Sequence, residues 1–145
     1  MLKSTKGNIC FKDVHFAYKK DEPVLRGLDL DIKAGQRIAI VGATGSGKTT
    51  IVNLLLRFYD IDSGSITVDG TDIREVDKAS LRRNIAIVLQ DTVLFSDTVA
   101  KNISYGRDGA TDEEIRLAAA AANADRFVEL LPETMILCFP SREQI

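Results

Sequence analysis

Apolar and polar residues alternate along two early stretches, NICFKDVHFAY (residues 8–18) and LDLDIK (residues 28–33). A period of two is the pattern of strands with one face buried and the other in water. The segment between them, KKDEPVLRG, is polar and contains proline, which predicts a hairpin-like connection. Two later runs behave differently. RIAIV (residues 37–41) and IAIVL (residues 85–89) are continuously apolar, as expected of strands covered on both faces in a parallel sheet. Two such strands are fewer than the roughly five or six of an ordinary sheet, so unpaired apolar edges are expected. Over residues 47–58, Ile51, Val52, Leu54, Leu55 and Phe58 recur at helical spacing and predict a helix that begins where a run of glycines ends. DIDSGSITVDG (residues 60–70) predicts turn, strand and turn. In ATDEEIRLAAAAANA, Thr111 and Glu114 stand three apart before a periodic run, a capping box that starts a second long helix.

Composition narrows the class. The chain has 145 residues, 45% hydrophobic and 28% charged, which suits one globular domain or most of one. At this length roughly two-thirds of the unfolded surface can be buried, so no disulfide is needed to hold the core. Cys10 and Cys138 form no CxxC pair and predict reduced thiols in a cytosolic compartment. His15 is the one histidine, which argues against zinc. A formal net charge of -2 gives no basic field for nucleic acid, and the pairs Lys19–Lys20 and Arg82–Arg83 are too short for a polybasic arm. The first residues lack the apolar stretch of a signal peptide, and no run approaches the 18 or so apolar residues of a membrane helix, so the chain itself is expected not to span a membrane.

The chemistry is concentrated in IAIVGATGSGKTT, residues 38–50. Residues 42–49 match G-x-x-x-x-G-K-[ST] after an apolar run and at the start of a helix, the context in which this motif binds phosphate. Gly42, Gly45 and Gly47 let backbone N–H groups turn inward and approach a polyphosphate, with Ala43, Thr44 and Ser46 completing the loop. The helix N-terminus adds partial positive charge at the same point. Lys48 supplies a full charge for the β- and γ-phosphates, the Thr49 hydroxyl suits Mg²⁺, and Thr50 follows in the first turn. A glycine-rich turn with a chance lysine would need none of this order.

The segments around the loop carry a family likeness. HFAYKKDEPVLRGLDLDIKAGQRIAIVGATGSGKTT, LLRFYDIDSGSITVDGTDI and NIAIVLQDTVLFSDTVAKNISYG together resemble the nucleotide-binding domain of ABC transporters, with the nearest likeness to exporters of the multidrug and lipid-flippase kind. The resemblance covers residues 7–133; residues 134–145 do not share it. It implies an α/β fold: a P-loop NTPase (RecA-like) core, an N-terminal antiparallel β subdomain and the start of an α-helical subdomain. It also implies ATP and Mg²⁺ as ligands. Tyr18 matches the aromatic residue that stacks on adenine in this family, and stacking tolerates any purine face. Gln90 matches the glutamine that meets Mg²⁺ and the attacking water and senses the membrane domain. Leu89 stands where the family often has proline, a change that removes no ligand.

Other acids fit less well. IAIVLQD imitates an apolar run ending in the aspartate of a Walker B strand, but Gln90 intervenes and no glutamate follows Asp91, so Asp91 reads as a loop acid. The LSGGQ-type signature, Walker B with its glutamate, and the switch histidine do not occur, and the tail TMILCFPSREQI departs from the family. The tail is expected to be either a divergent terminus or the product of a frameshift or truncation. The chain is therefore expected to bind ATP without turning it over by itself.

By resemblance its partners are a transmembrane domain, on the same or a separate chain, and a second nucleotide-binding domain, at the cytoplasmic face of a membrane. No nucleic-acid partner is expected. The alternative is a degenerate, non-hydrolysing nucleotide-binding or interaction module. A small P-loop kinase ranks last, because the Gln90 context argues against it.

Overall fold

The computed structural model describes residues 5–90, 93–132 and 134–136. Asp91, Cys138 and most of the atypical tail lie outside them. The chain divides into two compact units, Met1–Ile87 and Val88–Ile145.

In the first unit, strands β1 (Ile9–Lys19), β2 (Glu22–Ile32), β3 (Ser63–Val68) and β4 (Thr71–Asp72) form an antiparallel sheet in the order β2-β1-β3-β4. The register places Phe11 opposite Leu30 on one side and Ile66 on the other, and Phe16 opposite Leu25. The early alternation predicts this hairpin correctly but gives it too long a connection. Only Lys20 and Asp21 separate the strands, and Pro23 lies within β2. Proline survives there because β2 is an edge strand, where a missing N–H breaks no ladder on the open side.

One face of the sheet builds the core. Phe11, Val14, Phe16, Leu25, Ile66 and Val68 pack with Leu54 of helix α1 (Lys48–Leu55) and with Ile73, Val76 and Leu81. The last of these belongs to helix α2 (Lys78–Arg82), capped by the Asp77 carboxylate accepting from the Ser80 N–H. Helix α1 is shorter than predicted because Arg57 turns left-handed, φ 52°, just past its end. The Arg57 guanidinium donates to the carbonyls of Ile73, Arg74 and Val76. Arg82 donates to those of Leu56 and Arg57 and sits over the Phe58 ring. These donors satisfy the carbonyls that a helix end leaves open.

The two continuous apolar runs require a correction. Neither residues 37–41 nor residues 85–89 form strands, and Val41 and Val88 are 91% and 92% exposed. An interior parallel strand takes its hydrogen bonds and both covered faces from its neighbours, and no described strand pairs with either run.

The second unit is helical. Helix α3 (Val99–Ser104) starts at the Thr98 cap, and helix α4 (Asp112–Ala121) starts at Thr111. The predicted capping box is present there: the Thr111 hydroxyl accepts from the Glu114 N–H, and the Glu114 carboxylate accepts from the Thr111 N–H at 2.9 Å. Asn123, φ 55°, ends α4 in the left-handed conformation, and helix α5 (Asp125–Glu129) follows. No described helix is long and apolar enough to cross a membrane.

Candidate functional site

The loop of residues 42–47 leads directly into α1, and two of its glycines have left-handed backbone. Gly45 and Gly47 have φ of +83° and +89°, a region that side chains disfavour by roughly 1–2 kcal/mol per residue. The Ser46 N–H donates to the Ala43 carbonyl at 3.1 Å, and a Cβ on Gly42 would lie 2.5 Å from the Ser46 hydroxyl oxygen, so the loop closes tightly on itself. Gly47 is buried where Gly42, Ala43, Thr44, Gly45 and Ser46 are exposed. A Cβ there would lie 3.2 Å from Leu25 Cδ2 and from Val24 Cγ1. The edge strand β2 thus supports the last turn of the loop.

Lys48 folds back over this loop. Its Nζ donates to the Gly42 carbonyl at 2.7 Å and to the Ala43 carbonyl at 2.7 Å. An ammonium group has three N–H bonds, so one remains for a ligand while the other two fix its position. Two carbonyls do not neutralise it, and the cation stands at the positive end of the helix dipole. A polyanion is the ligand this arrangement suits. Gly47 caps α1 through backbone alone, with no side chain accepting from the first turn, so helix N–H groups there remain available. Thr49 is exposed one residue into the helix, where its hydroxyl can serve a cation held by the same ligand.

Tyr18 lies near the end of β1, 49% exposed. Its hydroxyl is 3.2 Å from the Thr50 Oγ1 and accepts from the Asn53 Nδ2 at 3.4 Å. The ring meets Phe16 and Tyr59 edge-to-face, with centroids 4.9 and 5.0 Å away. The structure therefore brings Tyr18 and the buried Thr50 together, although 32 residues separate them. Asn53 escapes a motif search, but it lies three residues beyond Thr50 on the same helix face. Gln90 belongs to the second unit and is exposed at the end of its run.

The perturbed carboxylates elsewhere serve the fold. The Arg57 guanidinium holds Asp60 below the usual carboxylate range, and Arg74 does the same for Asp72, which caps the short turn Ile73–Glu75. Among the described residues no cluster of three or more His, Cys, Asp or Glu side chains could hold a metal.

A family model described as ABC transporter matches residues 25–137. The chain is 50% identical over 131 residues to the ATP-dependent lipid A-core flippase of Saccharophagus degradans, covering 90% of this chain and 22% of that protein. It is 53% identical over 131 residues to the fatty acid ABC transporter ATP-binding/permease protein of Mycobacterium tuberculosis, covering 90% and 21%. Among solved structures, a bacterial Atm1-family ABC exporter with ATP bound matches with a TM-score of 0.89 at 43% identity, over 98% of this chain and 25% of that one. The chain thus spans about a fifth of the length of the curated relatives it matches. The likenesses do not support the reading of a degenerate, non-hydrolysing module.

Proposed function

This chain belongs to the ABC transporter family, with the fold of a P-loop NTPase, and from that premise we propose that it binds Mg-ATP as part of an exporter's ATPase domain. The observation that carries the proposal is Lys48: its ammonium is pinned by two loop carbonyls and keeps a third donor free at the start of α1. Residues 42–50 form the proposed phosphate site. Backbone N–H groups at Gly45 and Gly47 would meet phosphate oxygens without a side chain in the way, and Lys48 would balance charge on the β- and γ-phosphates. The Thr49 hydroxyl would help to hold Mg²⁺, an ion that when bound supplies positive charge to the phosphates; Gln90 is a second candidate ligand by family likeness alone. Tyr18 offers a half-exposed ring to the base.

In the whole protein, this domain would couple ATP hydrolysis to transport. It would act with a transmembrane domain and a second nucleotide-binding domain at the cytoplasmic face of a membrane. The names of the relatives support this reading. Hydrolysis needs a group that orients water, beyond the cradle that residues 42–50 provide.

Calorimetric titration of Mg-ATP and of adenosine into the chain and into Lys48→Ala tests the proposal. A charged hydrogen bond is worth about 1.5–3 kcal/mol, so ATP affinity should fall roughly 10- to 150-fold while adenosine affinity stays unchanged. Equal ATP affinity in the two proteins would exclude the site.

A further inference from the structure

We propose that Asn53 is a positioning residue for the nucleotide base, acting through the hydroxyl of Tyr18. The proposal rests on the reading that Tyr18 contacts the base. Asn53 Nδ2 donates to the Tyr18 hydroxyl at 3.4 Å, and the phenolic proton is then free for the Thr50 Oγ1 at 3.2 Å. Thr50 and Asn53 lie on one face of α1, the helix that the phosphate loop opens. Thr50 is buried and belongs to the proposed phosphate site. The chain Asn53–Tyr18–Thr50 therefore ties the aromatic platform to the element that would fix the phosphates.

Packing alone does not hold this ring. Phe16 and Tyr59 meet it edge-to-face at nearly perpendicular planes, 84° and 89°, yet about half of it remains exposed. An exposed ring near a strand end keeps rotamer freedom that a ligand must quench on binding. Two hydrogen bonds to the hydroxyl remove that freedom in advance. The tie also sets one span between ring and loop, so a ligand with both base and polyphosphate benefits and a polyphosphate alone does not.

The test titrates Mg-ATP and Mg-tripolyphosphate into the full chain and into Tyr18→Phe, Asn53→Ala, the double variant and Tyr18→Ala. Tyr18→Phe and Asn53→Ala should each weaken ATP about 3- to 10-fold, the range of a net hydrogen bond, and leave tripolyphosphate unchanged. The double variant should be no weaker than Tyr18→Phe, because both changes act through one hydroxyl. Wild-type ATP affinity in Asn53→Ala, or losses that add in the double variant, would overturn the proposal. If Asn53→Ala also loses tripolyphosphate, its fold is damaged, and Tyr18→Phe tests the same bond from the other end. Loss of ATP affinity in Tyr18→Ala alone refutes only the positioning role. An unchanged preference for ATP over tripolyphosphate in Tyr18→Ala refutes the base contact itself.

Discussion

Gly45 and Gly47 share a left-handed backbone but not an environment, so replacing each by alanine separates conformational strain from packing. At Gly45, φ +83°, a Cβ meets nothing within 4 Å. The cost is then the left-handed backbone alone, about 1–2 kcal/mol. At Gly47, φ +89°, the same strain applies and the Cβ also presses on Leu25 Cδ2 and Val24 Cγ1 at 3.2 Å. Those are side-chain ends that must yield a few tenths of an ångström, and overpacking of this kind adds about 1–3 kcal/mol. Gly47→Ala should therefore lose about 2–5 kcal/mol, and visibly more than Gly45→Ala. Urea unfolding followed by far-UV circular dichroism measures both. With a mid-range slope of about 2 kcal/mol per M, the Gly47→Ala midpoint should fall by roughly 1–2.5 M at unchanged slope. Equal losses in the two variants would refute the claim that β2 supports the loop. No loss in either would refute the left-handed geometry of the loop.

Two further outcomes follow from the core and from the chain's first turn. Leu54→Ala removes a fully buried side chain between α1 and the sheet and should cost about 2–5 kcal/mol by urea unfolding. A loss under about 1 kcal/mol would place Leu54 outside the core. The Asp69 carboxylate accepts from the backbone N–H groups of Asn8, Gly7 and Lys6, which brings its pKa down from 3.8 to about 2. A depressed carboxylate contributes stability above its unfolded pKa and loses it as pH falls through the folded one, so this tie should weaken between pH 4 and pH 2. Carbon-detected titration of Asp69 should place its midpoint near 2, and a midpoint of an ordinary carboxylate would remove the tie.

Features that are local in sequence were legible. The loop proposed to bind phosphate has its glycines, its lysine and its helix start within nine residues, all of which stand in one string. The Thr111–Glu114 capping box is equally local, and so is the alternation that builds β1. Features set by neighbours were not. Pro23 looks like a strand breaker until β2 is known to lie at the sheet edge, where its missing N–H is harmless. Residues 37–41 and 85–89 carry the composition of interior strands, but composition does not supply the strands that must flank them. Tyr18 could be singled out by resemblance and Thr50 by the motif. Their contact, and the part of Asn53 in it, could not, because a contact across 32 or 35 residues leaves no periodic trace.

Amide chemical-shift mapping tests whether residues 42–50 bind the phosphates of ATP, as proposed. With ¹⁵N-labelled chain titrated with Mg-ATP, the largest shifts should fall on the amides of Gly45, Gly47, Lys48 and Thr49, and the same amides should respond to Mg-tripolyphosphate. In Lys48→Ala these shifts should need much higher ligand concentrations. ATP binding that leaves the loop amides unmoved, with its shifts gathered elsewhere in the chain, would contradict the account.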